Sequence, residues 1–147
     1  MTAHGISRER ERRSPRGPQP GLDLRPVTGE WEAFAAPTSG IVHISSTEHD
    51  GRLLMHITEA DGTDLRKWDA FHATPMADEV DSDAAVGFHG EAHLGVDLGS
   101  REAVVCGYLN RGVLAIDLYE TRPQDQGAAA RVVNRRFLHR PVGPSHP

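Results

Sequence analysis

The 147-residue chain has one cysteine, one lysine, 5% aromatic residues and no long apolar run, and each shortage excludes something. With Cys106 alone there is no intramolecular disulfide, and nothing points to an oxidising compartment. No stretch approaches the roughly 18 apolar residues of a membrane helix. The N-terminal arginines are followed by no apolar segment, so no secretory signal is read. The expectation is a cytoplasmic protein with no membrane partner. Few aromatics leave little material for a base-stacking face.

Charge divides the chain in two. Residues 1–28 hold six arginines against three acids, whereas the remainder holds 10 basic and 18 acidic side chains. An acidic body repels phosphate backbones, so no nucleic-acid partner is expected. Arg8 to Pro20 is rich in arginine and proline, with Pro15, Pro18 and Pro20 forbidding a continuous helix. The reading is a disordered tail over 1–28, whose removal should leave the melting temperature nearly unchanged. A β-domain follows over 29–140, then a polar tail over 141–147. The high ratio of arginine to lysine, with abundant Ala, Gly and Asp, suggests a GC-rich genome.

Beyond Gly29 short alternating runs are punctuated by turn residues, the pattern of an all-β domain. A first strand includes Trp31, Ala33 and Ala35. Strands follow over Gly40–Thr47, Arg52–Ala60, Leu65–Phe71, Ala85–Val96, Glu102–Leu109, Val113–Thr121 and Ala130–His139. Asp50-Gly51 and Asn110-Arg-Gly112 read as hairpin turns. About eight strands in up-and-down order predict a small antiparallel barrel, since closure removes exposed edges. A two-sheet sandwich is the alternative.

The run Ala85–Val96 is the most informative. Alternation places Val86, Phe88, Gly90, Ala92, Leu94 and Val96 on one apolar face and Gly87, His89, Glu91 and His93 on the other. Gly90 and Ala92 contribute almost no side chain in the middle of the inward face. They predict an interior cavity for a small apolar or amphipathic molecule, with Trp68, Phe88, Gly90, Ala92 and Leu94 as the ligand-binding residues. A large residue from a facing strand, Trp68 or Leu118, would instead fill the gap. His89, Glu91 and His93 lie about 6.8 Å apart at alternate positions, long for three ligands on one tetrahedral metal, and a pair of them would need help from His43 or His56 on neighbouring strands. No metal site and no cofactor are therefore expected. Cys106 lies in an apolar strand and reads as a packing residue. No serine elbow or phosphate-cradling loop is present, and no catalytic residue is assigned.

The segments Gly29-Glu-Trp31, Gly40-Ile-Val42, Asp50-Gly-Arg-Leu53, Trp68, Ala73–Val80, Ser82–Phe88, Leu94-Gly95, Leu109–Leu114 and Arg135–Arg140 together resemble a group of small actinobacterial proteins with lipocalin- or avidin-like barrels. The resemblance implies a barrel fold and carries no activity. The chain departs from the group in lacking cysteines before Trp68, in Asp69 where Gly is usual, and in Ala92 and Val96 in place of aromatics. Three functions remain from these observations. The first is a barrel that binds a small molecule in its interior. The second is a cofactor-independent cyclase or isomerase acting on a natural-product intermediate by holding it in a reactive shape. The third is an interaction protein with a filled barrel.

Overall fold

The computed structural model describes residues 21–35, 37–121 and 131–142, with the backbone alone at 131–133. The strands are β1 (Gly29–Ala33), β2 (Ser39–His49), β3 (Arg52–Asp61), β4 (Asp64–Lys67), β5 (Phe71–Met76), β6 (Gly87–Leu94), β7 (Arg101–Asn110), β8 (Val113–Thr121) and β9 (Arg131–His139). All pairings between them are antiparallel, and β2 pairs with β3 as well as with β1, so the sheet closes on itself. β4 and β5 pair with successive stretches of the same edge of β3 and act as one interrupted strand. The result is the anticipated eight-stranded up-and-down barrel.

The turns follow from local chemistry. Asp50 and Gly51 have φ of 54° and 77°, and Arg111 and Gly112 have φ of 55° and 81°. Positive φ at both central residues is the I′ geometry whose twist matches that of paired strands. Glycine occupies the second position of each, where the left-handed conformation is free of Cβ strain. Two bulges adjust the wall. Val42 is extra between Ile41 and His43 of β2, and Val133 is extra between Val132 and Asn134 of β9. Such insertions increase local twist and suit barrel rims.

The interruption between β4 and β5 departs from the expected continuous strand. The Trp68 amide donates to the Ile57 carbonyl, continuing the ladder of β4, but the next pair is Met55 with Phe71. One extra residue is thus accommodated at Asp69-Ala70. Uninterrupted alternation would send Trp68 and Phe71 to opposite faces. The insertion turns both inward, with ring centroids 6.2 Å apart.

The expected boundary at Gly29 requires correction. Residues 21–28 pack onto the end of the barrel where β1 begins and β9 ends, and Leu24 and Val27 belong to the core at 3% and 0% exposure. Asp23 forms a parallel bridge to Ala84, donating to Asp83 O and accepting from Ala85 N. The Val27 carbonyl accepts the Trp31 indole N–H at 3.1 Å and the buried Ser46 hydroxyl at 2.9 Å. Arg140 then clamps the segment from outside. Its guanidinium lies 4.0 Å over the Trp31 ring and donates to the carbonyls of Thr28, Pro26 and Arg25. Burial pushes the Arg140 pKa down. Three apolar side chains, Leu22, Leu24 and Val27, suffice to dock this segment because the barrel end offers them a ready apolar floor. The expected disorder of residues 1–20 lies outside the described residues.

The docked segment makes the expected neutrality of removing residues 1–28 untenable. Leu24→Ala should destabilise the protein by about 2–5 kcal/mol, the usual cost of emptying a buried leucine site. Chemical denaturation of the full chain and the variant measures this directly.

Candidate functional site

The barrel interior is built from inward alternate positions. On β6 these are Phe88, Gly90, Ala92 and Leu94, all buried, as the alternation predicted. The anticipated space beside Gly90 is occupied. A Cβ built there would meet the Phe71 ring at 3.0 Å and the β5 backbone at His72 O and Ala73 Cα at 3.0 and 3.1 Å. The atoms nearest this gap belong to Phe71 and the β5 backbone rather than to Trp68 or Leu118. The distal end of the Phe88 ring in turn lies over β7, where Gly107 gives it room: a Cβ at Gly107 would fall 2.5 Å from the Phe88 ring. Ala92 is paired with Ala103, and Leu94 with Arg101.

Of the five residues expected to bind a ligand, Phe88 and Gly90 therefore lie in the packed part of the lumen. Trp68 and Leu94 lie towards the opposite end from the docked N-terminal segment, with Ala92 just below Leu94. At that end the inward positions change character. Leu53, Met55 and Ile57 of β3 are followed on the same face by Glu59. Leu114, Ile116 and Leu118 of β8 are followed by Glu120, and Val105 and Ala103 of β7 are preceded by Arg101. Three charges thus occupy core-facing positions of three strands.

They form one network. Arg101 donates through Nη2 to Glu59 Oε1 at 2.5 Å and through Nη1 to Glu120 Oε2 at 2.8 Å. Its Nε donates to the Leu98 carbonyl at 2.6 Å. The Trp68 indole N–H donates to the same Glu59 oxygen at 3.0 Å. Side-chain exposures are only 12%, 11% and 9% for Arg101, Glu59 and Glu120, so the charges are largely withdrawn from water. Burial alone would lower the Arg101 pKa, but the hydrogen bonds and charges of Glu59 and Glu120 outweigh it and the pKa is raised.

The loop that supplies the Leu98 carbonyl is a single 3-10 turn, Val96–Leu98, closed by Gly99 at φ 88°. Together with Gly40, Ala60 and Arg66 it borders a groove of about 340 Å³ whose floor includes Glu59 and Arg101. A second groove, of about 540 Å³, runs along the outer side of the same loop past Arg66, Lys67 and Asp69. Arg66 separates the two, donating to the Asp97 carbonyl and pairing with Asp61. Arg136 stands on β9 close to Gly40 and donates to Ser39 O, while its buried Nε has no partner.

The sequence reading missed Glu59, Arg101 and Glu120. The signal was available, because each continues the parity of an apolar inward face. His89, Glu91 and His93 are exposed on the outer wall as expected, and no group of three or more metal-ligating side chains occurs among the described residues. Cys106 is on the outer face between His89 and Asp117, half-buried rather than in the core. Burial and then the Asp117 charge push its thiol pKa up, which works against nucleophilic reactivity. Asp117 itself is held low by its bidentate pairing with Arg135. No described helix is long and apolar enough to cross a membrane. Comparison with protein-family models, with curated proteins and with solved structures finds no match.

Two stability measurements test this geometry. Gly107→Ala should cost about 1–3 kcal/mol, the range for overpacking, because the Phe88 ring against it is fully buried. Arg101→Met should cost about 3–5 kcal/mol by leaving two withdrawn carboxylates unpaired. Equilibrium denaturation near neutral pH reads both.

Proposed function

We propose that the chain is a small-molecule-binding barrel that takes an amphipathic ligand at the open mouth, with the polar end on Glu59 and Arg101 and the apolar part against Ala60 and Leu98. The observation that carries this reading is the Glu59–Arg101–Glu120 network on the floor of a groove. A withdrawn ion pair is seldom worth its desolvation as a stabilising device, so a three-charge chain at core-facing positions favours a role in recognition. The groove volume falls within the usual range for small-molecule sites. The paired alanines Ala92 and Ala103 lie on the same row as Glu120 and leave the upper lumen to the longer polar side chains. Seating at the mouth replaces the interior site expected beside Gly90. A place among lipocalin- or avidin-like barrels and a cytoplasmic location belong to the same reading.

Glu59 also favours a second reading, a cofactor-independent cyclase or isomerase. An inward titratable group at a groove is what general acid–base work requires. The packed space beside Gly90 favours the third, an interaction protein acting through its surface.

The test uses the full chain with octylamine, octanoate and 1-anilinonaphthalene-8-sulfonate as probes, followed by tryptophan fluorescence and melting temperature. At least one probe should bind saturably. Glu59→Gln should weaken octylamine, and Arg101→Gln should weaken octanoate or 1-anilinonaphthalene-8-sulfonate, each about tenfold or more, the loss of one charge-assisted hydrogen bond. Absence of saturable binding, or binding indifferent to Glu59→Gln and Arg101→Gln, would move function away from the mouth.

A further inference from the structure

On the outer wall, His49 at the end of β2 and His72 on β5 face each other across β3. The Nε2 of His72 lies 3.3 Å from the Nδ1 of His49, and the ring centroids are 5.4 Å apart. The two residues are 23 positions apart in sequence. They meet because Thr47 pairs with Leu54 and Leu54 with His72, which puts His49 diagonally opposite His72 over the β3 strand. Neither residue belongs to the charged mouth of the barrel.

We propose that His49 and His72 form a two-imidazole site for a borderline divalent cation, with zinc(II) as the reference metal and water completing its coordination. Zinc–nitrogen bonds of about 2.0–2.1 Å at a tetrahedral angle hold two ligand nitrogens about 3.3–3.4 Å apart. The observed separation is already that bite, so chelation needs only small rotations of two rings that stand on a solvent-facing surface. Imidazole is the ligand type that suits zinc, nickel and copper. The site is open, with two protein ligands. Its surroundings are mixed in sign: exposed Asp50 follows His49, while exposed Arg52 pairs directly with His49 and works against a bound cation. Affinity is therefore below that of a closed three- or four-ligand site. Bound metal would link β2 to β5 over β3, reinforcing the wall beside the Asp50-Gly51 hairpin. Alternation within one strand cannot reveal such a site, because its two ligands belong to different strands.

Equilibrium dialysis of the untagged full chain against zinc chloride at neutral pH, read by elemental analysis, tests the proposal. One zinc per chain should be retained. It should be lost in His49→Gln and in His72→Gln, and kept in His93→Gln, which alters an outer-wall histidine paired with Glu102. Zinc should also raise the melting temperature of the wild type and leave that of His72→Gln unmoved. Both ligands are on the outer wall, so the metal-free variants should melt as the wild type does, which keeps a loss of zinc distinguishable from a loss of fold. No retained zinc in the wild type, or zinc retained equally by His72→Gln, would overturn the assignment.

Discussion

Closing eight strands into a small barrel fixes the space inside it, and that space must be filled by side chains at alternate positions. This constraint organises the rest of the molecule. Trp31, Phe88, Met55, Ile44 and Leu114 occupy the lumen with essentially no exposure. Where two bulky groups would collide, a glycine yields: Gly107 to the Phe88 ring and Gly90 to Phe71. The glycine at position 90 is thus half of a complementary pair rather than a vacancy. A lumen filled in this way leaves the two ends of the barrel as places where its interior can meet solvent.

The ends have been finished differently. At one, Leu24 and Val27 extend the apolar core and the Val27 carbonyl satisfies the two polar hydrogens that would otherwise be stranded there, those of Trp31 and Ser46. Arg140 covers this seal with a stacked guanidinium that spends its donors on three backbone carbonyls. At the other end three core-facing positions are carboxylate, guanidinium and carboxylate, set beside the buried Trp68 and Leu94. Apolar residues there would have closed the barrel at less electrostatic cost. The same fold therefore has one end built to exclude water and one built around charge, and that asymmetry directs the functional reading to the mouth.

Much of the architecture was legible from residue order. The alternation of Phe88, Gly90, Ala92 and Leu94 reports their common face correctly, and Asp50-Gly51 and Arg111-Gly112 announce their hairpins through the need for positive φ. Three features were not legible, for different reasons. A single inserted residue at Asp69-Ala70 reverses the parity of β5 relative to β4, and no local signal distinguishes it from continuous alternation. Residues 21–28 dock through three apolar side chains that do not stand out from a polar stretch. Space beside a glycine depends on the neighbouring strand, and Phe71 lies 19 positions earlier in the chain. The ion-pair network differs from these three. Glu59, Arg101 and Glu120 sit at the parity of their apolar neighbours, so a charge at the rim of an otherwise apolar face was the available clue.

The inserted residue at Asp69-Ala70 also links the fold to the mouth. It lets Trp68 turn inward, where its indole N–H helps hold Glu59, and Phe71 turn inward beside Gly90. Its second consequence is on the wall. β5 pairs with β6 only from Gly87 to Gly90, while β4 stays with β3, so the upper part of β6 leaves the neighbourhood of its partner. The loop through Val96–Leu98 occupies the divergence, tied back by Arg66 to the Asp97 carbonyl and by Arg101 to the Leu98 carbonyl. The groove thus opens beside a stretch of wall that is held by arginine side chains rather than by a continuous backbone ladder. Side-chain contacts to exposed carbonyls give way at lower cost than a ladder of paired strands. Under the proposed reading, a ligand engaging Arg101 would act on one of the two arginines that anchor this loop, so recognition at the floor of the mouth and the position of its rim would be coupled through that guanidinium.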